Sequence, residues 1–329
     1  MEQILIEIED LKKYYPLKGG IVTHTTGYVK AVDGARLIIR EGETLGLVGE
    51  SGCGKSTMGR LIVGLEKPTA GTVRFRGHDL NELKGSKGKK IRTGLQMVFQ
   101  DAYSSLNPRK HIYEILSQPM LYHGLATKEN LRSKLDDLME MVGLSSRALG
   151  KYPHEFSGGQ RQRICIAKAL SLKPEFVVCD EPVSALDVSI QAQILNLLRQ
   201  LQKELKLTCL FIGHGLGAVN YVSDRIAVMY LGKIVEIADA GELFHNPIHP
   251  YTKALCNAAP IPDPDRPVGS GILLEGEVAS GINPPEGCRF HPRCPHAVDD
   301  CQHKEPGIDT LVEGSRHLVA CPVMLRQTT

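Results

Sequence analysis

The chain contains no tryptophan, and aromatic residues of all kinds make up 5% of its 329 positions. Stacking along a nucleic-acid strand relies on such rings, so there is little material for it. Charge of one sign is equally scarce: 39 Lys and Arg stand against 37 Asp and Glu, a net charge of +2. That balance gives no broad electropositive field to hold a phosphate backbone, and nucleic acid is not an expected partner. Long apolar runs are also missing. The best candidates are short stretches such as FVVC from 176 and CLFIG from 209, far below the roughly 18 residues that a bilayer-spanning helix needs. The amino-terminal MEQILIEIEDLKK alternates apolar and acidic residues and lacks a basic segment followed by an apolar one. It reads as a first strand rather than a signal peptide, and a cytoplasmic chain is expected.

What is present, 42% hydrophobic and 23% charged residues, is a globular composition in a chain long enough for roughly two domains. Disorder and collagen are excluded as whole-chain readings. Strand signals alternate with helix signals, which predicts an α/β fold with a parallel sheet. The clearest strand is TLGLV from 44, followed by a glycine-rich turn and a helix in which Met58, Leu61, Ile62 and Leu65 recur at helical spacing before Pro68. From about 101 to 163 strand signals vanish, and Leu131, Leu135, Leu138 and Val142 mark one helix face ahead of Gly143. Strands return at 176–179 and 209–213, separated by an amphipathic helix carrying Ile190, Ile194, Leu197, Leu201 and Leu205. A helical subdomain is thus expected between two halves of one sheet domain spanning 1–255. Beyond about 256, PIPDPDRP, GSG and NPPEG predict a loop-rich extension over 256–329.

Three motifs carry chemistry. Gly49-Glu-Ser51-Gly52-Cys53-Gly54-Lys55-Ser56, followed by Thr57, matches the phosphate-loop pattern between a strand and a helix. Its glycines let backbone N–H groups point at phosphate oxygens, Lys55 adds charge for the β and γ phosphates, and Ser56 offers a hydroxyl to Mg²⁺. The strand FVVC runs into Asp180 and Glu181, one carboxylate suited to Mg²⁺ and the other to orienting water; alone, a solvated acidic pair at a strand end is as ordinary a reading. Ser157-Gly158-Gly159-Gln160 combines an N-cap with a double glycine, a second helix start able to meet an anion.

In this order the motifs resemble the ATP-binding cassette (ABC) family, and the chain resembles the nucleotide-binding subunit of its oligopeptide and dipeptide importers along essentially its whole length. The resemblance implies a P-loop NTPase core in which Tyr15, with Tyr14 beside it as the alternative ring, stacks on adenine. It implies that Gln100 senses Mg²⁺ and the γ phosphate, that Glu181 is the general base, that His214 contacts the γ phosphate, and that Asp187 helps join two cassettes. It also implies Mg²⁺ held by Ser56, Gln100 and Asp180, and ATP bound between the phosphate loop of one cassette and residues 157–160 of the other. Partners follow: a second cassette subunit in a heterodimer, two transmembrane permease subunits, and indirectly an extracytoplasmic solute-binding protein, with the chain on the cytoplasmic face of the membrane. Two positions depart from the family pattern, Phe156 for the usual leucine and Gly215 for the usual aspartate. A soluble ABC ATPase of DNA repair would need a very long coiled coil between Gln100 and Ser157, and the segment is too short for one. A nucleotide-binding regulatory protein with a metal-binding tail remains the alternative.

Cysteine is unevenly spread. Cys53, Cys165, Cys179, Cys209 and Cys256 sit in apolar segments, whereas Cys288, Cys294, Cys301 and Cys321 crowd the extension. Four thiols in a segment too poor in apolar residues for its own core predict a metal staple. The paired knuckles usual for zinc are absent, and this spacing, with HPYT at 249–252, resembles the extension of peptide importers that carries a [4Fe–4S] cluster. His291, His296 and His303 nearby keep Zn²⁺ as the alternative.

Overall fold

The computed structural model describes residues 3–19, 24–258, 280–310 and 316–328, so the expected loops PIPDPDRP and GSG lie outside the described residues. The chain forms two compact units. One comprises Met1–Gln3, Arg40–Thr44 and Glu82–Phe211, the other Ile4–Ile39, Leu45–Asn81 and Ile212–Thr329.

In the first unit the strands Leu95–Val98 and Phe176–Asp180 run parallel, Leu95 opposite Phe176 and Val98 opposite Cys179, with Thr208–Ile212 on the other side of Phe176–Asp180. All five residues of Phe176–Asp180 are buried, which is why it reads as a continuous apolar run rather than an alternation. Helices fill the stretch that lacks strand signals: Ile112–Tyr122, Leu131–Met141 and Gly158–Leu170, followed by Val188–Leu205. Most of the periodic residues of the second and fourth face inward, Leu131, Leu135, Leu138, Ile194, Leu197 and Leu201 being buried, whereas Leu205 at the end of the fourth is 40% exposed.

In the second unit Ile4–Gly19 lies between His24–Arg40 and Ala70–Phe75, pairing antiparallel with the latter from Ile6 opposite Phe75. A second set of strands runs in the order Asp309–Thr310, Leu318–Val319, Lys233–Asp239, Arg225–Tyr230, Thr44–Val48. Thr44–Val48 pairs parallel with Arg225–Tyr230, and Val319 of the extension pairs antiparallel opposite Glu236. The helix after the glycine-rich turn spans only Lys55–Ile62. Gly64 turns left-handed (φ 71°) and Leu65 donates back to the carbonyl of Arg60 at 2.9 Å, so Leu65 leaves the helix and stands 58% exposed. Among the described residues no helix is long and apolar enough to cross a membrane.

Candidate functional site

In the second unit the fully buried strand Thr44–Val48 delivers the chain into Gly49, Gly52 and Gly54, at φ 154°, 77° and 108°. Glycine is required at two of these for room as well as for φ: a Cβ would meet the Met229 carbonyl at 2.1 Å from Gly49 and the Ala31 carbonyl at 2.0 Å from Gly54. Gly54 caps Lys55–Ile62 with no side chain on the first N–H groups, leaving a helix start shaped for an anion. Lys55 is 4% exposed. Its ammonium donates to the carbonyls of Gly49 and Glu50 at 2.8 and 3.0 Å, and lies 3.9 Å from the Cys53 sulfur. Burial lifts the Cys53 thiol above its ordinary range, so it is a neutral packing group and not a competing nucleophile.

The adjacent tyrosines take separate tasks. Tyr14 donates to Asp33 at 2.5 Å. Tyr15 donates to the Glu66 carboxylate, and the Thr57 hydroxyl at the phosphate loop is a further hydrogen-bond neighbour of its phenol. Burial, then that bond to Glu66, raises the Tyr15 phenol. It is therefore Tyr15 that stands beside the first turn of the phosphate-loop helix. His214 is exposed just beyond Thr208–Ile212, and Gly215 caps Leu216–Val222.

In the first unit two predicted residues 81 positions apart meet: the Gln100 amide donates to the Glu181 carboxylate at 2.8 Å. Asp180 and Glu181 are 3% and 7% exposed. Glu181 has φ 46°, a left-handed conformation rare for a residue with a side chain. Ser157 caps Gly158–Leu170 through a reciprocal box, its hydroxyl accepting from the Gln160 N–H at 3.3 Å while the Gln160 side chain accepts from the Ser157 N–H at 3.1 Å. A Cβ on Gly158 would approach Leu186 at 3.2 Å, and one on Gly159 would strike Ile190 at 2.5 Å. The double glycine thus packs against the segment that carries Asp187, the exposed N-cap of Val188–Leu205. Phe156, in the place of the usual leucine, is buried at 6% exposed.

The extension differs from its predicted metal staple. Cys288, Cys294, Cys301 and Cys321 are free and partly buried. Burial raises the thiols of Cys288 (to about 11), Cys294 and Cys321, and neighbouring tail cysteines raise each of the three further. The four therefore face one neighbourhood. Yet among the described residues no three His, Cys, Asp or Glu side chains converge closely enough to hold a metal ion; the thiols lie within electrostatic range of one another without sharing a coordination point. Backbone closure, such as Cys288 N–H to the Cys301 carbonyl at 2.8 Å, shapes the loop instead.

The extension also supplies contacts that motif reading missed. Arg293 pairs with Glu50 of the phosphate loop, Arg289 with Asp33, and the Tyr251 hydroxyl accepts from the Glu50 N–H at 2.8 Å. HPYT was the signal for Tyr251; nothing local marks the two arginines.

Comparison with known proteins gives two family matches along the chain. The family model described as "ABC transporter" matches residues 32–184, and "Oligopeptide/dipeptide transporter, C-terminal region" matches residues 235–301. The chain is 49% identical to the oligopeptide transport ATP-binding protein AppF of Bacillus subtilis, covering 97% of each. It is 51% identical to OppF of Salmonella typhimurium, covering 97% of this chain and 96% of that protein. Among solved structures, a dimeric ATP-binding cassette in a post-hydrolysis state with ADP and Pi is similar at TM-score 0.63 and 29% identity, over 72% of this chain and 99% of that one.

Proposed function

The chain belongs to the ABC transporter family, and we propose that it is the ATP-hydrolysing subunit that powers import of oligopeptides or dipeptides. The observation that carries this reading is that the likeness runs through both the cassette and the C-terminal region described for peptide transporters.

Residue roles follow from chemistry. The loop Gly49–Thr57 wraps the phosphates with N–H groups and Lys55, and Tyr15 stacks on the base. Glu181 takes a proton from water attacking the γ phosphorus, with Gln100 aiming its carboxylate and His214 contacting the γ phosphate. Mg²⁺ suits Ser56, Gln100 and Asp180, hard oxygen donors all, and supplies charge neutralisation for the phosphates. One phosphate loop and one Ser157–Gln160 signature in the chain support pairing with a second cassette, each completing the other's site, with Asp187 at the join. The forms FSGGQRQR and DEPVSALDVSIQ favour a heterodimer. Closure of the pair on ATP and release on hydrolysis then move two permease subunits at the cytoplasmic face of the membrane, to which a solute-binding protein delivers peptide. In this division 1–255 is the cassette and 256–329 the importer extension.

The four tail cysteines are proposed as ligands of a [4Fe–4S] cluster. Their spacing, without the paired knuckles usual for zinc, favours an iron–sulfur group over Zn²⁺. Anaerobically purified protein is expected to show broad iron–sulfur absorption, and stoichiometric zinc without it would reverse the assignment.

The function is tested by Mg²⁺-dependent phosphate release from the chain alone and reconstituted with a candidate partner cassette and permease. Stimulation on reconstitution is expected. Full activity alone, indifferent to any membrane component, would point to a self-sufficient soluble ATPase.

A further inference from the structure

We infer that Arg293 of the extension is a positioning residue for the phosphate-binding loop: it holds and neutralises Glu50, so that the loop presents its N–H groups to ATP without a bare carboxylate beside the phosphates.

Glu50 occupies the first unspecified position of the phosphate-loop pattern, where an acid is an electrostatic liability for a site that takes a polyanion. Three contacts restrain it. Its N–H donates to the Tyr251 hydroxyl at 2.8 Å, its carbonyl accepts from Lys55 at 3.0 Å, and its carboxylate faces the Arg293 guanidinium. Nη1 of Arg293 reaches Oε1 and Oε2 at 3.2 and 3.0 Å, and Nη2 reaches Oε1 at 3.2 Å. Such a fork fixes direction as well as charge, which a lysine does not. The pair is well shielded, side-chain exposure being 7% for Arg293 and 23% for Glu50. The guanidinium also lies 6.0 Å from the ring of Tyr230, so an aromatic wall sets its place.

Arg289, four residues earlier, makes a parallel strut. It donates to Asp33 and to the Leu231 carbonyl, and Asp33 accepts from Tyr14, the neighbour of Tyr15. Two arginines of one short tail segment thus reach two elements assigned to nucleotide binding. The phosphate loop has no acid-neutralising cation of its own for Glu50: Lys55 bonds the Glu50 carbonyl, not its carboxylate. The inference rests on the reading of Gly49–Thr57 as an ATP site.

The test uses the full chain with a fluorescent ATP analogue and Mg²⁺, and the reconstituted complex for turnover. A partly buried charge left alone costs more than a pair removed together, so Arg293→Met is expected to weaken ATP binding and raise KM for ATP by about tenfold, with kcat at saturating ATP within about twofold. Glu50→Gln added to Arg293→Met is expected to restore most of the affinity, and Arg293→Lys to restore part. The inference is overturned if Arg293→Met binds ATP like the wild type, or if the double variant stays as weak as Arg293→Met, which would reduce the arginine to a tether of the tail. A wild-type chain that fails to bind the analogue would instead overturn the ATP-site reading beneath it.

Discussion

Glu181 holds its carboxylate on a left-handed backbone and receives the Gln100 amide at 2.8 Å, so its own main chain and the Gln100 amide both help aim the candidate base. Left-handed residues with side chains persist only where surroundings hold them there, and they gather at sites of chemistry. Glu181→Gln keeps the shape and still meets Gln100, but cannot accept a proton. It is expected to retain ATP binding, to lose about 10² to 10⁴ in turnover, and to accumulate as a closed pair of cassettes; phosphate release and sedimentation with ATP check this. Undiminished release in the presence of the proper partner would strip Glu181 of the role. The individual acids were legible in the sequence because an apolar strand points to them. Their setting was not, since the contact between residues 100 and 181 and the sign of φ depend on tertiary placement.

At the same scale two buried histidines face Glu236 with opposite consequences. Burial holds His249 down near pKa 4, Glu236 pulling the other way. Between about pH 6.5 and 4 the unfolded ring takes a proton that the folded one refuses, so acid costs up to about 3 kcal/mol of stability through this residue. For His317 burial also lowers, but hydrogen bonds to Glu236 and Glu242 outweigh it and raise the ring. Its contribution is fully present below the unfolded value and fades as pH rises through the folded one. His249→Asn keeps an acceptor for the Tyr251 N–H, now 3.1 Å from the ring nitrogen, and is expected to flatten the loss of Tm below pH 6.5. An unchanged acid limb in thermal melts would contradict it.

Among elements, the helix Gly158–Leu170 shows how a capping box and a double glycine serve different ends. The box fixes where the helix begins; Gly159 lets that beginning lie against Ile190. Gly159→Ala places a methyl 2.5 Å from Ile190 Cγ2, and overpacking of this kind costs about 1–3 kcal/mol. The expected result is a lower Tm with a larger loss of ATP-dependent pairing, read by melting and by light scattering. Elements with a clean period were legible: Val188–Leu205 from its leucines, Phe176–Asp180 from its apolar run. The phosphate-loop helix was read too long because Leu65 continues the spacing, while the left-handed Gly64 that ends it acts through φ, which periodicity does not register.

For the whole molecule, the described part of the extension lends Phe290 and Val319 to the core of the second unit. Phe290 is 1% exposed and stands 5.3 Å from the ring of Tyr230 and 5.5 Å from that of Tyr251, while Val319 pairs opposite Glu236. Phe290→Ala is expected to cost about 3–5 kcal/mol and, by loosening Tyr251, to weaken ATP binding as well; a full-length variant with wild-type melting would refute the packing role. That the tail is poor in apolar residues was visible in its composition. That it packs through this aromatic cluster was not, because Phe290 stands alone in a polar stretch and acquires meaning only beside Tyr230 and Tyr251. The same holds for its ion pairs, which join positions up to 256 residues apart.

Glu50 and Arg293 are separated by 243 positions, and the acid fills a place that the phosphate-loop pattern leaves free. Their codons are nevertheless not free to drift singly. A lineage that sheds its carboxy-terminal region inherits an acid with no counter-charge and is expected to exchange Glu50 for a neutral side chain. A lineage that keeps the region is expected to retain both residues or to replace both together.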